Sequence, residues 1–176
     1  MVPGAAFGEY EWGRPLDEPL SALGNSNWAV RDLIPLGGTG STRLLDGLDA
    51  APAQGDLPPG FTPALQRGGV GFLVVRNDLD RDRTGGPSPA AVRRLLAQDP
   101  SLELAASFGD EVAEPVDASR RGPLPGTDPS ESYREIDIYT VPDASQRAEA
   151  YPLEGAAVID GGPEALLAPD PEVLAG

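Results

Sequence analysis

The apolar run VGFLVV, at residues 70–75, constrains the fold most because it is among the longest apolar stretches of the chain. It lacks strict alternation, which predicts a strand covered on both faces in the interior of a sheet. The preceding FTPALQR predicts a helix with Thr62 as its cap and Pro63 at its first position. Gly68 and Gly69 then end that helix. We therefore expect a helix, a glycine turn and a central strand in this order.

Further helices are predicted on both sides of this unit. In SPAAVRRLLAQDP, Ser88 is a cap, Pro89 holds the first helical position, and the helix stops before Pro100. Shorter helices are predicted at residues 27–34, capped by Asn27, and at 42–49.

Two more strands are predicted, at residues 102–108 and 135–141. In REIDIYTV, period-2 alternation divides the side chains between two faces. One face carries Ile136, Ile138 and Thr140, and the other carries Asp137, Tyr139 and Val141. The order of elements predicts an α/β fold, with a small mixed sheet flanked by helices.

The 176 residues suffice for one compact domain with a buried core. We divide residues 1–176 into an extended, turn-rich aromatic segment (1–24), a helix and strand core (25–108), a long flexible loop (109–132) and a carboxyl-terminal part (133–176). The loop is rich in Pro, Gly and acidic residues and has little periodicity. The opening residues lack the pattern of a signal peptide and suggest a piece of a larger protein.

Composition excludes several functional classes. The chain has neither cysteine nor histidine, which excludes thiolate nucleophiles, histidine bases, Cys/His zinc sites and disulfides. Its formal charge of −15, with thirteen basic residues that are all arginine, argues against nucleic acid and anionic membrane surfaces as partners. No apolar run approaches the ~20 residues of a membrane-spanning helix. We expect no cofactor and no insertion of this chain into a membrane.

The stretch GEYEWGRPLDEP, at residues 8–19, holds the richest set of candidate binding side chains. Tyr10 and Trp12 would share one face of an extended segment and could stack on a sugar ring, with Glu9 and Glu11 opposite. Carboxylate pairs among its acidic residues could instead serve glycoside hydrolysis, which needs two carboxylates roughly 5 to 10 Å apart. The same pattern also fits a flap that covers a hydrophobic core.

Three other motifs are weaker. GGTGST (37–42) has glycines typical of a phosphate loop but lacks the lysine, and an ordinary loop is favoured. NDLDRDRTGG (77–86) spaces Asp78, Asp80 and Asp82 as calcium loops do, but Arg83 stands where an EF-hand needs glycine. A solvated turn is favoured there. IDGGPEAL (159–166) indicates a strand-to-helix turn more than an anion site.

The chain resembles a known family through four blocks in order. These are PGAAFGEYEWGRPLDEPL (3–20), WAVRDLIPLGGTGSTRLLDGLD (28–49), GVGFLVVRNDLD (69–80) and AAVIDGGPEALL (156–167). They are similar to the extracytoplasmic region of the large actinobacterial alpha-1,3-arabinofuranosyltransferases, membrane enzymes of the GT-C type that build mycobacterial cell-wall arabinan. The loop at 109–132 carries no part of the resemblance.

The resemblance implies that the parent enzyme transfers arabinofuranose from a decaprenyl-phosphate donor to arabinogalactan and lipoarabinomannan. By the same resemblance, the catalytic acid lies in a loop near the membrane, within the transmembrane part of the parent enzyme. That part is absent here, so no catalytic residue is assigned and the fragment is expected to be inactive alone. We expect a non-catalytic soluble module on the extracytoplasmic face that packs on the transmembrane catalytic region and guides acceptor arabinan. An independent carbohydrate-binding module is the alternative. The candidate sugar contacts are Tyr10, Trp12, Arg14, Asp17, Glu18 and Trp28.

Overall fold

The computed structural model describes residues 8–15, 18–31, 38–112, 116–117, 122–123, 132–145, 154, 156 and 158–168. The helices are α1 (Pro19–Leu23), α2 (Thr39–Gln54), α3 (Phe61–Arg67), α4 (Arg81–Thr84), α5 (Pro89–Leu96) and a final 3-10 helix (Pro163–Leu167). The strands are β1 (Phe72–Arg76), β2 (Glu103–Val112), β3 (Val116–Asp117), β4 (Gly122–Pro123) and β5 (Tyr133–Thr140). Every helix within the described ranges is too short or too polar to cross a membrane.

The main sheet has three strands in the order β1-β5-β2. β5 pairs antiparallel with both neighbours, so the described pairings are antiparallel rather than mixed, while the predicted α/β class is confirmed. β3 and β4 form a separate two-stranded ladder. This ladder and the last four residues of β2 lie within residues 109–132, the segment predicted as a long loop. The other residues of that segment up to 131 lie outside the described ranges.

The prediction of β1 as the central strand is wrong, because β5 occupies that place. Leu73 and Val75 of β1 are buried, but Phe72 between the glycine turn and Leu73 is 64% exposed. β1 is therefore an edge strand with one covered face, although its sequence is apolar on both. A continuous apolar run suggests burial on two sides, yet on the second side Phe72 is exposed, Val74 is partly covered and the charged Arg76 is buried.

The alternation predicted for β5 is confirmed, and its buried face is the more polar one. Tyr139 and Val141 are buried with Asp137, whereas Ile136 and Ile138 are only partly covered. Tyr139 lies opposite Leu73, and Asp137 opposite Val75. These side chains meet the helices, which cover this single face of the sheet.

The hydrophobic core lies between that face and the helices. α2, α3 and α5 contribute a contiguous set of buried residues: Leu48, Ala51, Phe61, Ala64, Leu65, Val92, Leu95 and Leu96. Leu167 of the final 3-10 helix closes the cluster against α2. A two-layer arrangement of this kind buries one stripe of each helix and one face of the sheet.

The sequence predicts α3 and α5 by a cap followed by a proline, and both helices are formed. Ser88 accepts a hydrogen bond from the Ala91 amide and Pro89 holds the first turn of α5, as predicted.

The cap predicted at Thr62 is wrong, because α3 begins at Phe61, two residues before the predicted first position at Pro63. Gly60 is the cap, and Thr62 is buried within the helix.

Two other predictions fail in the amino-terminal half. Residues 27–31 are not helical, while 32–34 lie outside the described ranges, so the helix predicted from Asn27 is wrong where it is described. Gly38 instead caps α2, which takes in most of the predicted GGTGST loop and the predicted helix at 42–49. The strand expected before Asp160 is also not formed over residues 158–160.

We expect Leu95→Ala to lower the free energy of unfolding by about 2 to 5 kcal/mol, because it leaves a cavity in the core. Leu23→Ala is the matched control, since Leu23 is 81% exposed and should change stability by less than about 0.5 kcal/mol. Urea denaturation followed by circular dichroism measures both. Equal losses in the two variants would contradict the core described above.

Candidate functional site

The stretch at residues 8–15 forms a tight turn rather than the extended segment that its sequence predicts. The Tyr10 amide donates to the Gly13 carbonyl at 2.9 Å, and the Gly13 amide donates back at 3.1 Å. The turn is fixed to the loop after β1, since the Glu11 amide donates to the Asp78 carbonyl at 2.8 Å. The Asp80 amide donates to the Glu9 carbonyl at 3.0 Å. The turn is thereby hydrogen bonded to the end of the sheet.

Three flat groups stack in this region. The Tyr10 and Trp12 rings are parallel within 3°, with their centroids 4.8 Å apart. The Arg76 guanidinium carbon lies 4.3 Å from the Tyr10 centroid. Because one face of the phenol is covered by the indole, the guanidinium must cover the other. Tyr10 is 5% exposed and Trp12 is 55% exposed, so the order from interior to solvent is Arg76, Tyr10, Trp12.

Asp78 fixes both ends of this stack. Its carboxylate accepts from Arg76 Nε at 2.9 Å and from Arg76 Nη2 at 2.8 Å, which is the bidentate geometry of strong arginine pairs. The Trp12 indole N–H donates to Asp78 Oδ2 at 2.7 Å. Asp78 is buried. The indole is therefore held by both its ring face and its N–H, with its outer face toward solvent.

Glu18 completes the charge balance. Its carboxylate accepts from the Tyr10 hydroxyl at 3.1 Å and lies 3.7 Å from Arg76 Nη1. It also caps α1 by accepting from the Leu20 amide. One buried guanidinium thus faces two carboxylates and one aromatic ring.

These contacts perturb the ionisation of the two central groups. Burial raises the pKa of Tyr10 to about 12; the Arg76 charge opposes the rise, and Glu18 adds to it. Burial also acts to lower the pKa of Arg76, but the hydrogen bonds and charge of Asp78 outweigh it and raise that pKa above its ordinary value. At neutral pH the stack therefore contains a neutral phenol and a charged guanidinium.

The predicted sugar-contact residues differ in their exposure in the structure. Trp12 is exposed as a contact must be, while Tyr10 and Glu18 are not suited to direct contact because both are covered and engaged with Arg76. Arg14 is exposed and pairs with Glu9 at 2.9 Å. Asp17 lies outside the described residues. Trp28 is 41% exposed in an irregular segment after α1.

The calcium loop suggested by Asp78, Asp80 and Asp82 does not form. Asp78 is occupied by Arg76 and Trp12, and Asp80 accepts from the Arg83 amide as the cap of α4. Over the described ranges, acidic residues do not assemble into a group of three or more that could hold a metal ion. The stretch forms the short helix α4 instead, with Asp80 as its cap and two arginines within it.

Sequence reasoning missed Arg76 and the structural use of Asp78. The prediction of a solvated turn at residues 77–86 rests on their failure to fit a calcium loop and does not include Arg76, whereas Arg76 and Asp78 are both buried. The signal that could have identified them is an arginine at the strand end followed two residues later by an aspartate, the pair that forms the bidentate contact here.

A second buried polar cluster lies on the helix side of the sheet. Asp137 accepts from Asn77 Nδ2 at 3.0 Å, from Arg93 Nη2 at 3.4 Å and from Ser107 Oγ at 2.5 Å. The Arg93 guanidinium also stacks over the buried Tyr133 ring, 4.4 Å from its centroid. Residues from β2, β5 and α5 and the end of β1 meet here, and we assign the cluster a structural role.

Asp78→Ala should destabilise the fold by about 3 to 5 kcal/mol, because it leaves the buried Arg76 charge without its bidentate partner. Asp82→Ala is the control, since Asp82 is exposed in α4 and its loss should cost less than about 0.5 kcal/mol. Urea denaturation at pH 7 compares the two. A similar small cost for both variants would refute the role given to Asp78.

The raised pKa of Tyr10 predicts a loss of stability in alkali. The folded state holds the phenol proton more tightly than the unfolded chain, so this contribution is present below pH 10 and disappears as the pH rises toward 12. Two pKa units correspond to about 2.7 kcal/mol. In Tyr10→Phe the decline between pH 10 and 12 should be smaller by about that amount, measured by denaturation at each pH. Identical declines would show that Tyr10 titrates normally.

Comparison with known proteins places the chain in a family. Residues 1–172 match the family model for the N-terminal GT-C domain of alpha-(1->3)-arabinofuranosyltransferase. The chain is 35% identical over 176 residues to the alpha-(1->3)-arabinofuranosyltransferase of Mycolicibacterium smegmatis, and 36% identical over 174 residues to that of Mycobacterium tuberculosis. Each alignment covers 95% of this chain and 12% of the relative.

Solved structures agree with this result. The cryo-EM structure of arabinofuranosyltransferase AftD from mycobacteria matches with a TM-score of 0.75 and 35% identity, over 94% of this chain and 13% of that one. A mutant of AftD matches with a TM-score of 0.66 and 37% identity, over 80% and 11% of the two chains. The resemblance seen in the sequence is confirmed. The chain belongs to the family of the N-terminal GT-C domain of alpha-(1->3)-arabinofuranosyltransferases.

Proposed function

We propose that this chain is a non-catalytic, extracytoplasmic part of a membrane arabinofuranosyltransferase that acts in the synthesis of cell-wall arabinan. Family membership over residues 1–172 supports the role in arabinan synthesis. The chain spans 12% of the curated relatives. We place the transfer reaction in other parts of the polypeptide, as the resemblance of the sequence implies. We propose that residues 1–176 act as one unit that contacts the transmembrane catalytic region.

Within that unit, we propose that Trp12 is a platform for the acceptor glycan, and its exposed, fixed indole is the observation that carries the proposal. Sugar C–H groups pack on the face of an aromatic ring, which is apolar and carries a negative quadrupole. The inner indole face rests on Tyr10, and Asp78 holds the N–H. A neutral glycan is also compatible with a chain of charge −15, which would repel anionic ligands.

Polar contacts would come from the exposed rim of the same turn. Arg14 and Glu11 are exposed beside the platform in sequence and offer a donor and an acceptor for sugar hydroxyls. The buried carboxylate of Asp78 and the partly buried carboxylate of Glu18 are held by Arg76, so we give them a positioning role. Within the described part of the chain, this assignment leaves Glu11 as the exposed carboxylate next to the platform in sequence, whereas hydrolysis requires two such groups across a cleft.

The alternative is an independent carbohydrate-binding module. It is favoured by one observation: the residues that hold the platform, namely Tyr10, Arg76 and Asp78, all belong to this chain. Such a module would bind arabinan with useful affinity by itself, whereas a guide for the acceptor would bind weakly alone. The affinity of the 176-residue chain separates the two functions.

The decisive measurement is titration of this chain with arabinofuranose oligomers. The chain has two tryptophans, so Trp28→Phe leaves Trp12 as the only indole reporter. We expect the fluorescence of Trp12 to change on titration, and Trp12→Ala to weaken binding by about tenfold or more, which is about 1.4 kcal/mol. Calorimetry measures the affinity in the wild type and Trp12→Ala.

Xylopyranose oligomers of equal length are the control ligand. The proposal fails if Trp12→Ala binds arabinan as the wild type does, or if the Trp12 signal stays constant at millimolar arabinan. Binding that is lost in Trp28→Phe but kept in Trp12→Ala would show that the glycan packs on Trp28 and not on Trp12.

A further inference from the structure

Among the described residues, the helices cover one face of the sheet, and the other face is partly exposed beyond Arg76, where Tyr10 covers it. We call this other face the open face and define it by six side chains: Phe72, Val74, Ala106, Phe108, Ile136 and Ile138. The pairings Val74 with Ile138, Ala106 with Ile138, and Phe108 with Ile136 place five of them side by side across three strands. Phe72 lies two residues before Val74 on the same face of β1 and is paired with Thr140. Phe72 and Phe108 are 64% and 54% exposed. A contiguous apolar surface of this kind is typical of an interaction site.

The chemistry of the open face restricts its occupant. The six side chains at its centre are hydrocarbon, while Thr140 and Glu103 lie at one end and Arg76 at the other. A glycan would need polar partners across that centre to fix its hydroxyls. A second copy of the chain, with its own charge of −15, would be repelled, as would an anionic bilayer surface. The face therefore requires a protein surface that is apolar at its centre and not acidic.

The surroundings of the face specify this surface further. Strand β2 carries three exposed acidic residues: Glu103, which is paired with Thr140, and Asp110 and Glu111, which follow Phe108 in the strand. Interfaces generally have an apolar core and a polar rim, and complementary charges across the rim fix the orientation. A basic rim on the partner would satisfy the acidic edge.

We propose that the open face is the surface by which this chain packs against another segment of the same polypeptide, one that presents an apolar patch with a basic rim. This rests on the proposed function as part of a larger enzyme. It is supported by the length of the relatives, of which this chain spans 12%. An interface within one polypeptide would also cover the exposed rings of Phe72 and Phe108 permanently, because the remaining polypeptide stays covalently attached.

Site-specific photo-crosslinking in the full-length polypeptide tests the proposal. A benzoylphenylalanine placed at Phe72 or at Phe108 should crosslink to a peptide of the same molecule outside residues 1–176, identified by mass spectrometry. The same group at Leu23, which is 81% exposed on α1, is the control and should give no such product. Crosslinks only to lipid, only to a second copy, or to nothing would overturn the proposal.

The paired substitution Phe72→Asp and Phe108→Asp adds a second measurement. Both side chains are already exposed, so the 176-residue chain should keep its unfolding midpoint, while the full-length protein should unfold at a temperature several degrees lower. An unchanged midpoint in the full-length protein would contradict the packing. Arabinan binding through Trp12 is measured separately, so a failure of the platform and a failure of the docking surface are distinguishable.

Discussion

The burial of one charge, that of Arg76, organises the amino-terminal half of the structure. A guanidinium removed from water costs several kcal/mol unless carboxylates and hydrogen bonds replace its solvation. Asp78 supplies two hydrogen bonds, Glu18 a second negative charge, and Tyr10 a ring face. Satisfying this one group therefore fixes the turn at residues 10–13, the start of α1 and the loop after β1 against each other.

Local signals in the sequence were sufficient where the determinant was itself local. The Ser88 and Pro89 pair predicted the beginning of α5, because a cap and a fixed φ act within one turn. The alternation of β5 predicted which side chains share a face. Neither signal reveals which strand lies in the middle, since that depends on pairings between distant segments. β1 was misplaced for this reason, as its apolar sequence fits an interior strand and an uncovered edge equally well.

The candidate site was found only in part for the same reason. The exposed indole lies in the stretch that the sequence indicated, but Trp12 and Asp78 are 66 residues apart. Nothing in GEYEWGRPLDEP shows that a strand end will supply an arginine to cover Tyr10. Tyr10 and Glu18 are covered through contacts with segments distant in sequence. Asp78 likewise contacts Arg76 and Trp12, so it does not form a calcium loop with the two aspartates that follow it. Composition, by contrast, excluded thiol and histidine chemistry without any structure.

The contacts of the amino-terminal turn also determine where this protein can be shortened. Tyr10 and Glu18 come from the first twenty residues, yet the charged group that they contact, Arg76, belongs to strand β1 of the core. A polypeptide that begins after Glu18 would retain the helices that cover the sheet but would lose the contacts of Tyr10, Trp12 and Glu18 with Arg76 and Asp78. A minimal folding unit therefore cannot begin at α1, the first helix. It has to include the irregular segment that precedes α1.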